Sequence, residues 1–187
     1  MRFWPQKKWK KILLTSLLVV LVVLLGIGGY LEYSVYREVS AQTVVLNADG
    51  AKTALVIYHP GLTDFARNVT YSFADGLVSS GWRVEITTAS PQAPTSLSNY
   101  SLLVLGWSIY DFNPGPTITN QIHRMGNLNG TNTVVIVIAG GMDPFNAQAN
   151  MNKIVEKANG TVLKTLQAFR GEDAWQMMQD EASKIVP

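Results

Sequence analysis

Thr53-Ala-Leu-Val-Ile-Tyr-His-Pro-Gly-Leu-Thr-Asp64 decides how this chain folds. The apolar run reads as a fully buried strand, the Pro-Gly segment as a tight small-residue loop, and the end of the stretch as the entry to a helix. In an open α/β sheet such a junction lies at the carboxyl end of a strand beside a helix N-terminus. There free backbone N–H groups and the helix dipole both favour an anion, so the junction is suited to a phosphate.

Downstream the pattern repeats. Phe65, Val69, Phe73 and Leu77 recur at four-residue spacing, which predicts an amphipathic helix over 65–80, and Gly81 is a fitting stop. Trp82–Thr87 reads as a second strand. Residues 89–100 are rich in Ser, Pro and Thr and leave room for at most a short helix. Leu102–Leu105 is a third strand, closed by Gly106, and Pro116–Met125 a helix with proline where a missing N–H costs nothing. Thr133–Ile138 is a fourth strand, 145–158 a helix and Thr161–Phe169 a fifth strand. The last helix spans Gly171–Val186, with Glu172 and Asp173 placed to suit its dipole. Strands alternating with helices imply an α/β domain: a five-stranded, parallel, doubly wound sheet of order 2-1-3-4-5. Upstream, Thr43-Val-Val-Leu46 has the character of a short edge strand, and the sequence leaves open whether it joins the sheet.

The N-terminal region is of another kind. Ile12 to Leu31 contains no charged residue. At about 1.5 Å per residue, a helix of this length spans roughly 30 Å, enough for a bilayer core. Trp4 and Trp9 flank it on one side and Tyr30, Tyr33 and Tyr36 on the other, as interfacial anchors do. The apolar run exceeds a signal-peptide core, and the small residues at Val39-Ser-Ala41 lie well past its end, so it reads as an uncleaved signal anchor. Arg2, Lys7, Lys8, Lys10 and Lys11 precede the span and only Arg37 follows closely, which places the N-terminus in the cytoplasm and the domain outside. The expected layout is a basic flank over 1–11, a transmembrane helix over 12–31, a tether over 32–52 and the α/β domain over 53–187. The lipid bilayer is thus one expected partner, through residues 12–31.

Charge narrows the function classes. The formal net charge is +2, yet residues 41–187 carry nine Lys/Arg against eleven Asp/Glu, so the basic excess belongs to the membrane flank. No basic stripe points to nucleic acid. The chain has no cysteine and two histidines far apart in sequence, which excludes disulfides and thiolate sites and argues against a metal centre. Sequons at Asn68, Asn99, Asn129 and Asn159 matter only for an exported domain in an organism that glycosylates.

Three loops carry the candidate chemistry: Pro60-Gly-Leu-Thr-Asp-Phe65, Gly106-Trp-Ser-Ile-Tyr-Asp-Phe112 and Ala139-Gly-Gly-Met-Asp-Pro-Phe145. In a sheet of the expected order they converge on one crevice. With Ala54-Leu-Val-Ile-Tyr58, Gly81-Trp-Arg-Val-Glu85, Leu102-Leu-Val-Leu-Gly-Trp-Ser-Ile-Tyr110 and the closing Gly160-Thr-Val, the chain resembles the flavodoxin-like family over about residues 53–186. The resemblance implies FMN as cofactor and a role as electron-transfer or oxidoreductase module; with the membrane anchor, a membrane redox partner is expected. It implies that Pro60, Gly61, Leu62, Thr63 and Asp64 form the phosphate loop. Trp107, Ser108, Ile109 and Tyr110 would form one flavin wall, and Gly140, Gly141 and Asp143 the other. No catalytic side chain is implied, since the flavin carries the redox chemistry.

The first loop departs from the family's hydroxyl-rich Ser/Thr-x-Thr-Gly-Asn-Thr pattern. It offers one hydroxyl, Thr63; Pro60 lacks an N–H; and Asp64 brings a carboxylate for which Arg67, one turn on, is the expected counter-charge. The alternative reading is therefore a descendant without FMN that serves as a binding or scaffolding module. Asp64 is expected as a helix N-cap before a ligand role, and His59 as a hydrogen-bonded packing residue before an acid or base. For Trp107, Tyr110 and Phe112, packing and ring stacking remain equal alternatives. Ser108 lacks the Gly-x-Ser-x-Gly elbow of a hydrolase.

Overall fold

The computed structural model describes residues 7–109, 114–139, 145–171 and 173–187. The chain falls into two units, one ending at Val35 and one running from Tyr36 to Pro187. The described residues of the first lie almost entirely in one helix, α1 (Lys8–Tyr36), 29 residues long, whose last residue belongs to the second unit. It is long and apolar enough to cross a membrane, and none of its residues is buried in protein.

The second unit contains β1 (Val44–Leu46), β2 (Thr53–Tyr58), α2 (Asp64–Ser79), β3 (Arg83–Thr88), β4 (Leu102–Ser108), α3 (Pro116–Met125), β5 (Asn132–Ala139), α4 (Phe145–Lys157), β6 (Thr161–Phe169) and α5 (Ala174–Ser183). They build one sheet of order β1-β3-β2-β4-β5-β6. The parallel strands β2 to β6 follow the expected 2-1-3-4-5 order, but the sheet has six strands, not five. Val44–Leu46 pairs antiparallel with β3 and covers its outer edge.

Alternate strand residues serve two cores, as the two-residue side-chain period requires. Ala54, Val56, Tyr58, Leu102, Val104, Val134, Ile136 and Ile138 face α2 and α5. Leu55, Ile57, Leu103, Leu105, Trp107, Val135 and Val137 face α3 and α4. The crossover from β3 to β4 has no helix. Residues 89–101 run over the second face instead and bury Ala89, Ala93 and Leu97 there.

Two glycines fix where α2 lies. A Cβ on Gly76 would come within 2.3 Å of the Gln179 carbonyl oxygen, so the glycine lets α2 and α5 meet backbone to backbone. A Cβ on Gly106 would stand 3.1 Å from Thr70 Oγ1, so β4 also makes room for the helix. These contacts set how closely α2 lies against α5 and over the sheet.

Much of the expected tether is part of the domain. The Thr88 hydroxyl accepts the Ala41 N–H at 3.0 Å and donates to the Val39 carbonyl; Thr87 Oγ1 donates to the Ala41 carbonyl. Glu38 forms an ion pair with Arg124 at 2.7 Å. Residues 37–46 therefore form a strap along β3 rather than a free linker.

Candidate functional site

A cleft of about 270 Å³ opens at the carboxyl ends of β4 and β5, beside the start of α2. Leu62, Thr63, Phe65 and Ala66 line it from the first loop and α2. Ser108 and Ile109 line it from β4, Ile138 and Ala139 from β5, and Arg170 from the residue after β6. Parts of all three expected loops thus meet in one place, on the α2/α5 side of the sheet.

The first loop begins at His59, whose N–H continues the ladder by donating to the Gly106 carbonyl at 3.0 Å. The His59 ring is buried. Its Nδ1 accepts the Gly61 N–H and its Nε2 faces the Arg37 carbonyl, each at 3.3 Å. These partners assign the proton to Nε2. Burial lowers the pKa of His59, outweighing the opposing Arg37 hydrogen bond, so the imidazole is neutral at pH 7. This is the packing role expected from its position after a buried strand. Gly61 turns the chain at φ +69°, a conformation open to glycine at no steric cost.

Thr63, not Asp64, is the N-cap of α2, with extended backbone (φ −139°, ψ 162°) and no side-chain capping bond. Asp64 is the first helical residue and is exposed. The Thr63 hydroxyl is engaged elsewhere: it accepts a hydrogen bond from Arg170 Nη2 at 2.7 Å. Arg170 also lies over the Phe65 ring, 5.6 Å from its centroid, and Phe65 meets Trp175 edge-on at 5.3 Å.

The counter-charge at the loop therefore differs from expectation. Arg67 lies over Tyr71, 5.1 Å from the ring centroid, and is not among the residues lining the cleft. Arg170 takes that place. It is more than 100 residues downstream of the loop, so no local pattern links the two. The available signal was its register: Arg170 immediately follows a strand that ends at the same, carboxyl, end of the sheet.

The second loop is divided. Trp107 is 1% exposed and packs in the α3/α4 core, so neither face of its ring is open to the cleft. As a flavin wall it is corrected to a packing residue, because it shares the strand parity of Leu103 and Leu105. Its Nε1 has no hydrogen-bond partner among the described residues. Ser108 has the opposite parity and lines the cleft with Ile109. The Ile109 N–H donates to the Ile138 carbonyl at 2.9 Å, which ties the ends of β4 and β5 together. Tyr110 and Phe112, like Gly140, Gly141 and Asp143, lie outside the described residues. Pro60, Gly61, Leu62, Thr63 and Asp64 form the turn into α2; of these, Leu62 and Thr63 line the cleft. Among the described residues no cluster of His, Asp and Glu is arranged to hold a metal.

What this donor set suits is an anion attached to an apolar group. The first N–H groups of α2 have no intrahelical acceptor, and they are joined by the hydroxyls of Thr63 and Ser108 and by the Arg170 guanidinium. Leu62, Ile109, Ile138 and Ala139 supply the apolar surface.

Solved structures with this architecture are flavodoxin-like. Flavodoxin 2 from Bacillus cereus matches with a TM-score of 0.59 at 15% identity, over 71% of this chain and 95% of that one. A flavodoxin from the domain Archaea matches at 0.56 and 12% identity, over 71% and 95%. An azoreductase from Bacillus anthracis matches at 0.55 and 8%, over 71% and 97%. At such identities the likeness establishes the fold, which is flavodoxin-like. Neither a protein-family model nor a curated protein matches the sequence.

Proposed function

We propose that the chain is a membrane-anchored flavodoxin-like protein whose cleft holds FMN, serving as an electron-transfer or oxidoreductase module. The observation that carries this reading is the cleft itself. It stands at the strand ends where this fold takes ligands, with a helix N-terminus, two hydroxyls and a guanidinium on its polar side. Thr63, Arg170 and the first turn of α2 would hold the phosphate, and Ile109, Ile138 and Ala139 would floor the ring. FMN would supply one- or two-electron redox chemistry, and these residues would bind and orient it and keep water from the floor.

Helix α1 would anchor the domain, with the basic flank in the cytoplasm and the domain outside. That arrangement would hold the domain near membrane redox partners and raise its effective concentration there.

A second reading has an observation of its own. The Gly61 N–H points at His59 rather than into the cleft, and Pro60 has none, so the loop offers fewer donors than a phosphate loop normally does. On this reading the domain binds a partner without FMN.

One titration separates the two. The full-length chain in detergent micelles, titrated with FMN, is expected to quench flavin fluorescence with micromolar or tighter affinity. Absence of quenching at high-micromolar FMN would sink the redox reading and leave the second. Orientation is checked by protease added to sealed inside-out vesicles: the domain should survive, and its digestion would place it in the cytoplasm.

A further inference from the structure

We infer that Arg170 is the specificity-determining residue of the cleft: its guanidinium, lying over Phe65, which Trp175 backs, selects a phosphomonoester over the same molecule without its phosphate. This rests on the FMN reading and adds to it the source of phosphate selectivity.

The argument begins with what the first loop lacks. Pro60 has no N–H, and the Gly61 N–H is directed to His59. Asp64 adds a carboxylate at the start of α2. A phosphate dianion placed there needs a cation, and Arg170 is the one charged side chain among the described residues lining the cleft. Leu62, Thr63, Asp64 and Arg170 are all exposed, so the guanidinium acts there by offsetting the Asp64 charge and by charge-assisted hydrogen bonds to the phosphate oxygens.

Arg170 is also in the right state to serve. None of the ion pairs among the described residues includes it; these join Arg83 to Glu85, Arg124 to Glu38, and Lys164 and Lys184 to Glu181. One of its five N–H donors is placed on Thr63 Oγ1. Since that oxygen accepts from arginine, the Thr63 hydroxyl proton remains available to an anion in the cleft.

Position is fixed by stacking. Arg170 lies on Phe65 and Phe65 meets Trp175, so side chains from α2 and α5 form a ladder behind the guanidinium. A planar, stacked fork loses less freedom on binding than a free side chain, and it matches two phosphate oxygens at once.

The test compares FMN with riboflavin, which differ only in the phosphate. Full-length wild type, Arg170→Gln, Arg170→Lys and Trp175→Ala are titrated with each flavin in micelles by fluorescence quenching, after circular dichroism confirms unchanged melting. Wild type is expected to favour FMN over riboflavin by at least about tenfold, consistent with charge-assisted hydrogen bonds. Arg170→Gln should lose that preference while riboflavin affinity stays the same. Arg170→Lys should keep part of it, because the charge remains and the fork does not, and Trp175→Ala should weaken FMN binding a few-fold. If Arg170→Gln binds FMN as wild type does, the inference is overturned while the FMN reading stands. If wild type binds neither flavin, the FMN reading fails, and phenyl phosphate becomes the probe. Thermal stabilisation of wild type by phenyl phosphate, lost in Arg170→Gln, supports the anion role; no stabilisation of wild type overturns it.

Discussion

The loops after β2 and β4 look alike in sequence and differ in use. Each follows an unbroken apolar strand, and each carries a glycine and a polar or aromatic residue within a few positions. After β2, the side chains turn toward the cleft: Thr63 and Phe65 line it, and a distant arginine joins them. At the end of β4, still within the strand, Trp107 turns the other way and packs in the α3/α4 core. The lesson is that inside a strand, parity and not residue type decides which core an aromatic residue joins. The cleft opens past the strand ends, where Ser108 and Ile138 line it together with Ala139, the last residue of β5, and Ile109; Trp107 lies further inside β4, where its parity turns it into the α3/α4 core.

The strongest way to break this contrast is Trp107→Ala. Removing a fully buried indole is expected to cost about 3–5 kcal/mol. For a domain of this size that lowers Tm by roughly 6–20 °C. At temperatures where the variant remains folded, FMN affinity should be unchanged. A variant that melts like wild type but binds FMN weakly would restore Trp107 as a ring wall. Trp107→Phe sharpens the point. It keeps most of the volume and removes an indole N–H that lacks a partner among the described residues. An unpaired buried donor costs about 1–3 kcal/mol, so this variant should lose far less than the alanine one.

A smaller effect is expected at Gly76. Its alanine variant would force α2 and α5 apart at a 2.3 Å approach, and such overpacking typically costs about 1–3 kcal/mol. Because α2 carries Thr63 and Phe65, and α5 carries Trp175, the strain should also loosen FMN severalfold, unlike Trp107→Ala. Calorimetry and the flavin titration on the same sample measure both. Equal FMN affinity would show that the cleft does not depend on how closely the two helices pack.

Sequence periodicity carried much of the architecture. The buried character of β2, β4 and β5, and the four-residue repeat of α2, mark the elements directly. The loops at their ends place the crevice. Two features were out of reach of local pattern. Thr43–Leu46 reads as a short strand, but its joining the sheet depends on pairing with a neighbour about 40 residues away. Arg170 reaches Thr63 only because β6 and β2 end at the same, carboxyl, end of the sheet. Trp107 is different, since its parity with Leu103 and Leu105 was visible in the sequence. The strap over 37–46 has no such signature: Thr87 and Thr88 hold it chiefly by hydrogen bonds to backbone atoms, which composition does not record.

The finest distinction between the two loops is electrostatic. The end of β4 buries the Trp107 ring, whereas the β2 loop buries His59, which joins the Gly61 N–H to the Arg37 carbonyl of the strap. Protonation would place a second donor against Gly61, so the neutral form supports the loop and the charged form opposes it. Burial lowers the folded-state pKa below the ordinary value of 6.5. Between the folded value and about 6.5 the unfolded chain therefore binds more protons than the folded one, and stability rises with pH there. The contribution is complete above about pH 6.5 and declines as acid is added, by at most about 1.4 kcal/mol per pH unit, until the folded value is passed. Thermal melts from pH 7.5 to 5 should show this slope in wild type. His59→Asn, which does not titrate, should show it reduced, while Trp107→Phe should keep it. A wild-type slope unchanged by His59→Asn would mean that the acid sensitivity arises elsewhere and that the β2 loop is as indifferent to pH as the β4 loop.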